Sequence, residues 1–270
     1  MQAREAKKNK PAVKPPVKKP YLRGKAFSAL AFRRGLRILS YVLVSAVLYF
    51  FLGQLMVIDI VWLRVLINSA IIFAFCALLY GSGARDGETD VSFGEIAWNR
   101  REQGQEVSEA DLAKCFHPLK GFAAVLLGTL PLVLLCLVYA LVAVRDHYTL
   151  GSLPSWMAGY LQRQDIGLAL AYYQDRAGIG IADILRLVVR LLIFPFVNMA
   201  GSRNADALLL IERLSPLLVL VAPMFYGIGY LRGEHYRAMV HSGIAANARR
   251  QARRKKKQQQ PRRQEPRQLV

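Results

Sequence analysis

The sequence predicts an all-α polytopic bundle of transmembrane helices, and three observations carry that prediction. The chain has 270 residues, 54% of them hydrophobic. Its apolar residues gather into runs of about 20, the length a helix needs to cross a hydrocarbon core of about 30 Å. Its net charge of +19 lies in the two ends: residues 1–37 carry +11, residues 232–270 carry +10, and the remainder −2.

Residues 1–21 alternate Lys with Pro and Ala. Proline blocks helix and like charges repel, so this segment reads as a disordered basic tail. In 22–36, Leu22, Ala26, Phe27 and Leu30 share one face among Arg and Lys, as expected of an interfacial amphipathic helix. Arg33, Arg34 and Arg37 are expected to meet anionic headgroups there. The first span is 38–57 and the second 60–80. No small-residue cleavage site follows the first run, so it reads as a retained span and not a signal peptide.

The loop 81–118 opens with the turn-rich GSGARDGETD and carries four basic and eight acidic residues. Two capping signatures, Ser92 with Glu95 and Ser108 with Asp111, predict two short helices in it. The third span is 121–144, with Pro131 inside. The loop 145–178 supplies Tyr148, Trp156, Tyr160, Tyr172 and Tyr173 as interface anchors. The last span is 214–232, where Pro216 and Pro223 are placed to kink the helix and Gly227 and Gly229 to allow close packing. Residues 233–270 form a second basic tail.

The stretch 179–200 is apolar but interrupted by Asp183, Arg186 and Arg190. Clusters of Lys and Arg beside spans stay in the cytoplasm. Both tails are such clusters, so an even number of crossings is expected. That favours four full spans, with 179–200 as a re-entrant or interfacial helix broken near Pro195–Asn198 or at 201–204. Five spans with one exported tail is the alternative. The expected localisation is a multi-pass cell-membrane protein with both termini cytoplasmic.

Polar residues inside apolar segments are costly and face a partner or water. Arg64 and Asn68 share a face of the second span, and Asp183, Arg186, Arg190 and Asn198 share a face of 179–200. Together they are the candidate intramembrane polar site, read either as snorkelling and interfacial side chains or as the lining of an anion-receptive pocket. No Asp or Glu falls near the middle of a span with these bounds. Arg249, Arg250, Arg253, Arg254, Lys255, Lys256 and Lys257 are the second set of candidate anionic-lipid contacts. Neither tail interleaves stacking aromatics, so specific nucleic-acid binding is not expected.

Cys76, Cys115 and Cys136 have no ligand spacing and read as small buried hydrophobes. The four histidines form no ligand pair, and no nucleotide, dinucleotide, hydrolase or metalloprotease motif is present. No catalytic residue, cofactor or metal is expected. The composition resembles that of insertases of the YidC type in its hydrophobic segments, its membrane arginine and its basic C-terminal tail. It lacks their lipobox and places its long loop between the second and third spans, so no residue is carried over. The expected function is that of a non-enzymatic structural or accessory subunit of a membrane complex, with partner subunits. The alternatives are a small transporter or channel for an anionic solute and an insertion factor of that type.

Overall fold

The computed structural model describes residues 18–53, 58–145, 153–170, 173, 180–201 and 204–259, with side chains described to 252. Most of the expected disordered tail, the side chains of Arg253, Arg254, Lys255, Lys256 and Lys257, and parts of the loop 145–178 lie outside the described residues. The helices in chain order are α1 (Ala29–Leu52), α2 (Val61–Glu102), α3 (Glu109–Lys114), α4 (Lys120–Val142), α5 (Gly167–Leu170), α6 (Ile181–Leu192), α7 (Phe194–Ala200), α8 (Ala205–Leu231) and α9 (Gly233–Gln259). A 3-10 helix at Ser155–Gln162 precedes α5. Among the described residues four helices are long and apolar enough to cross a membrane: α1, α2, α4 and α8. The protein is an all-α, multi-pass membrane bundle.

The four long helices run up, down, up and down. Arg34 in α1, Lys120 at the start of α4 and Tyr230 at the end of α8 all reach Asp90 of α2. Both tails therefore leave from one end of the bundle, termed the basic end below. Lys18 lies 3.1 Å from Glu234, so the two tails start side by side.

Glycine lets these helices touch through their backbones. A Cβ at Gly83 would overlap the carbonyl of Tyr226, and one at Gly229 would overlap the carbonyl of Tyr80. Four residues on, Gly87 meets Gly233 in the same way, while Gly35 and Gly128 join α1 to α4.

Four boundaries differ from the sequence reading. Residues 22–28 are not helical; α1 begins at Ala29, with the Ser28 side chain accepting from the Ala31 amide. The preceding strap satisfies its backbone elsewhere: Leu22 N–H donates to Gly94 O and Gly24 N–H to Phe116 O. Second, the supposed loop opening at 81 is helix, and α2 runs unbroken to Glu102. Gly83 and Gly87 face α8 instead of making turns, and Ser92 lies in mid-helix. The helix stops before Gly104 at φ 74°, and Ser108 does cap α3. At 42 residues α2 is about 63 Å long, about twice the hydrocarbon thickness. Its second half leaves the apolar region.

Third, the last span starts at Ala205, capped by Asn204, and so includes Glu212. Fourth, 179–200 breaks at Ile193, two residues before Pro195, whose missing N–H and fixed φ suit a new helix start. The two pieces enter and leave on the same side. Arg186 bonds the Val144 carbonyl at the far end of α4, and Gly201 abuts Arg64 in the first turn of α2. Between them, Val189 and Ile193 join Val42, Leu132 and Val219 in the core. Beyond α8 the basic segment is not a simple tail: α9 continues as helix to Gln259.

Candidate functional site

Asp90 is where all four long helices meet. The Arg34 guanidinium donates to both its oxygens at 2.8 Å. Lys120 Nζ donates at 2.8 Å and Tyr230 Oη at 2.6 Å. These are short, charge-assisted bonds, about twice as strong as neutral ones. Lys120 is 0% exposed and also donates to the carbonyls of Ala113 and Cys115. One turn earlier, Asp86 accepts from Tyr226 Oη at 2.7 Å and faces Arg37 at 3.4 Å and Arg34 Nε at 3.6 Å. Phe116 stacks on Tyr230 with ring centroids 5.2 Å apart, and Tyr21 of the strap meets Phe116 edge-on. Asp90, Lys120 and Arg34 are buried beside this aromatic cover. Arg34 is consequently no headgroup contact, contrary to the expectation from its neighbours in sequence: it is buried and bound. Arg33 and Arg37 remain exposed.

Beyond the node, α9 docks on the protruding half of α2. Arg237 donates to Glu95 Oε2 at 2.9 and 3.1 Å, and His241 Nε2 lies 2.7 Å from Glu95 Oε1. Burial pushes the Glu95 carboxyl upward, but the hydrogen bonds and charges of Arg237 and His241 outweigh it and hold the group below the usual carboxylate range. A carboxylate depressed in the folded state stabilises above its unfolded value, about 4.3, and loses that contribution as pH falls through its folded value. Protection factors of the amides across 237–245, which divide out the pH dependence of the intrinsic exchange rate, are therefore expected to be high at neutral pH and to fall below about pH 4. Glu95→Gln should exchange faster at neutral pH and lose the acid-induced change; an unaltered profile would remove Glu95 from the docking.

The sequence-derived polar residues divide into three places. Arg190 Nε donates to Glu212 Oε1 at 2.6 Å, and Arg186 Nε lies 3.7 Å from the same oxygen. Tyr139 Oη donates to the other Glu212 oxygen at 2.8 Å and accepts from Arg186 Nε at 2.7 Å. Glu212 is 1% exposed. Asn198 Nδ2 donates to Asn68 Oδ1 at 3.3 Å, and Asn68 Nδ2 to the Arg64 carbonyl at 2.7 Å. The Arg64 guanidinium lies against Gly201, at φ 79°, where any side chain would collide with it. Asp183 joins neither group; it is exposed and caps α6 by accepting from the Gly180 amide at 3.1 Å. Arg64, Asn68 and Asn198 come together, whereas Arg186 and Arg190 turn to Glu212.

Sequence reasoning missed the carboxylates. Glu212 fell outside the last span, started at 214, and Asp86, Asp90 and Glu95 fell in a supposed loop. One signal was present. Asp86 and Asp90 are four apart, as are Tyr226 and Tyr230, and Gly83 and Gly87 have the spacing of Gly229 and Gly233.

A cavity of about 40 Å³ lies between α1, α2, α7 and α8, lined mainly by apolar side chains such as Val42, Phe75, Phe196 and Val219. It has room for a few waters, well short of the roughly 300–1,000 Å³ of small-molecule sites. No group of His, Cys, Asp and Glu suited to a metal ion occurs among the described residues. No known family model, curated protein or solved structure matches this chain.

Proposed function

We propose that the protein is a non-enzymatic accessory subunit of a membrane assembly, a closed four-helix anchor that holds a rigid basic arm in the cytoplasm. The observation that carries this reading is the pairing of Arg186 and Arg190 with Glu212. An anion-receptive pocket needs cations whose donors are turned to a solute, and here donors of both arginines are taken up by the protein's own acceptors: the Glu212 carboxylate, the Tyr139 hydroxyl and the Val144 carbonyl. The Asp90 node points the same way: its charges are consumed in tying helices together, where a transporter would hold them for a solute. The cytoplasmic assignment follows from the joint exit of both tails at one end and the retention of Lys and Arg clusters on that side. In this arrangement α6 and α7 form a re-entrant pair dipping from the outer face, and Arg33 and Arg37 sit at headgroup level.

Purification in mild detergent tests the reading. The expected result is co-isolation with a partner in fixed stoichiometry. Reconstituted alone, the protein should show no flux of chloride, phosphate or dicarboxylates, with or without Arg190→Leu. A monodisperse monomer whose anion flux is abolished by Arg190→Leu would overturn the proposal in favour of a transporter.

A further inference from the structure

The C-terminal part of α9 concentrates positive charge. Seven Lys and Arg fall between 249 and 257, and the backbone there is helical. This helix does not lie on the bilayer. Gly233 packs on Gly87 and Glu88, and Arg237 and His241 on Glu95, so α9 runs parallel to α2 as α2 leaves the membrane. The apolar part of α2 ends near Tyr80, and Gly87 stands about 10 Å beyond it at 1.5 Å per residue. Arg249 is about 24 Å farther along α9 by the same rise. Even after subtracting a headgroup layer, the cations stand well over a Debye length, about 8 Å, from the bilayer that anchors them.

The sequence of the arm narrows its partner. From 246 to 259 the only apolar side chains are Ala246, Ala248 and Ala252. An interfacial helix needs a stripe of large apolar residues, and the arm has none. A protein interface needs aromatic or aliphatic anchors at its centre, and the arm has none of these either. What remains is affinity gained purely by neutralising closely spaced phosphates and releasing their counterions. The ion pair of Lys18 with Glu234 brings the chain back to the base of α9, and residues 1–17 add five more Lys and Arg.

We infer that the α9 arm binds the phosphate backbone of nucleic acid, without sequence preference, at a distance from the membrane. This rests on the proposed function in one respect, that the arm faces the cytoplasm. The absence of stacking aromatics agrees with backbone contact alone.

The test uses the full chain in nanodiscs of zwitterionic lipid, titrated into fluorescent 30-mer probes: duplex RNA, single-stranded RNA and duplex DNA. All three should bind. Engagement of about five phosphates predicts an affinity falling about 10²–10³-fold between 50 and 200 mM salt. Replacing Arg253, Arg254, Lys255, Lys256 and Lys257 by Gln should abolish most binding and leave the protein monodisperse, whereas Arg33→Gln with Arg37→Gln should change little. Binding that survives the arm substitutions overturns the inference. So does poly-glutamate competing as well as duplex RNA at equal charge, which assigns the arm to an acidic protein. Protection of 249–257 from hydrogen exchange in anionic but not zwitterionic nanodiscs also overturns it, because the arm then lies on lipid. None of these outcomes depends on which side of the membrane the arm occupies, so failure here is distinct from failure of the proposed function.

Discussion

Replacing Asp90 by alanine is expected to destabilise the folded protein by about 3–5 kcal/mol, the cost of removing one partner from a buried ion pair. The substitution deletes four short hydrogen bonds at once and leaves Arg34 and Lys120 facing an apolar gap. Compensation is partial. Lys120 keeps the carbonyls of Ala113 and Cys115, while Arg34 keeps Asp86 only through a 3.6 Å contact with Nε. Asp90, Lys120 and Arg34 are buried beside the aromatic cover of Phe116 and Tyr230. Asp90→Asn should cost less, because the amide oxygen still accepts. A triple variant, Asp90→Leu with Arg34→Met and Lys120→Met, should recover most of the loss, since well-packed apolar groups replace a buried ionic cluster at little cost. Unfolding free energy in mixed micelles of mild detergent and SDS measures all three. If Asp90→Ala leaves that free energy within about 1 kcal/mol of the parent, the node does not tie the helices together.

Gly83→Leu is the second large effect. A side chain there meets the backbone carbonyl of Tyr226, which cannot rotate out of the way as a flexible side chain would. The two helices must separate, and separation breaks the bonds of Tyr226 to Asp86 and Tyr230 to Asp90. Overpacking a well-filled interior costs about 1–3 kcal/mol, and loss of those two bonds adds to it. The expected outcome is failure to recover monodisperse protein. Gly81 supplies the control, because nothing lies within 4 Å of a Cβ there. Gly81→Leu should express normally and gain a little from helix propensity. Size-exclusion profiles of the two variants, prepared side by side, decide the point; equal recovery would mean that α2 and α8 do not touch through their backbones.

How much of this was legible in the sequence depends on what kind of signal each feature leaves. The four spans were legible because an apolar run of about 20 residues matches the thickness of a bilayer core. Charge parity, which concerns the tails and not the segment itself, was the signal that set 179–200 apart from an ordinary span, and α6 and α7 do start and finish at one end of the bundle. The helical run of 81–102 was not, because Gly81, Gly83 and Gly87 among acids read as turn chemistry. Only the match of Gly83 and Gly87 to Gly229 and Gly233 across the bundle reveals a helix contact, and that match requires knowing that α2 and α8 are neighbours. Arg33 and Arg34 are adjacent and chemically identical, so nothing local says that one is exposed and the other buried. Arg186 and Arg190 were placed correctly on one face, but their partner was lost when the last span was started at 214, two residues after Glu212. A buried charge is legible only together with its counter-charge, and the counter-charge lay 22 residues from Arg190 in another helix.

The central claim is a four-span bundle with both tails on one side and α6–α7 dipping in from the other. Single cysteines at Lys19, Arg101, Arg163, Asn204 and Arg249, on a background lacking Cys76, Cys115 and Cys136, test it with a membrane-impermeant maleimide applied to intact cells and to inverted vesicles. All five positions are exposed. The four-span topology predicts that 163 and 204 label only in intact cells and that 19, 101 and 249 label only in inverted vesicles. Labelling of 204 from the same side as 101, with 163 still outside, would make 181–200 a full crossing and contradict that topology.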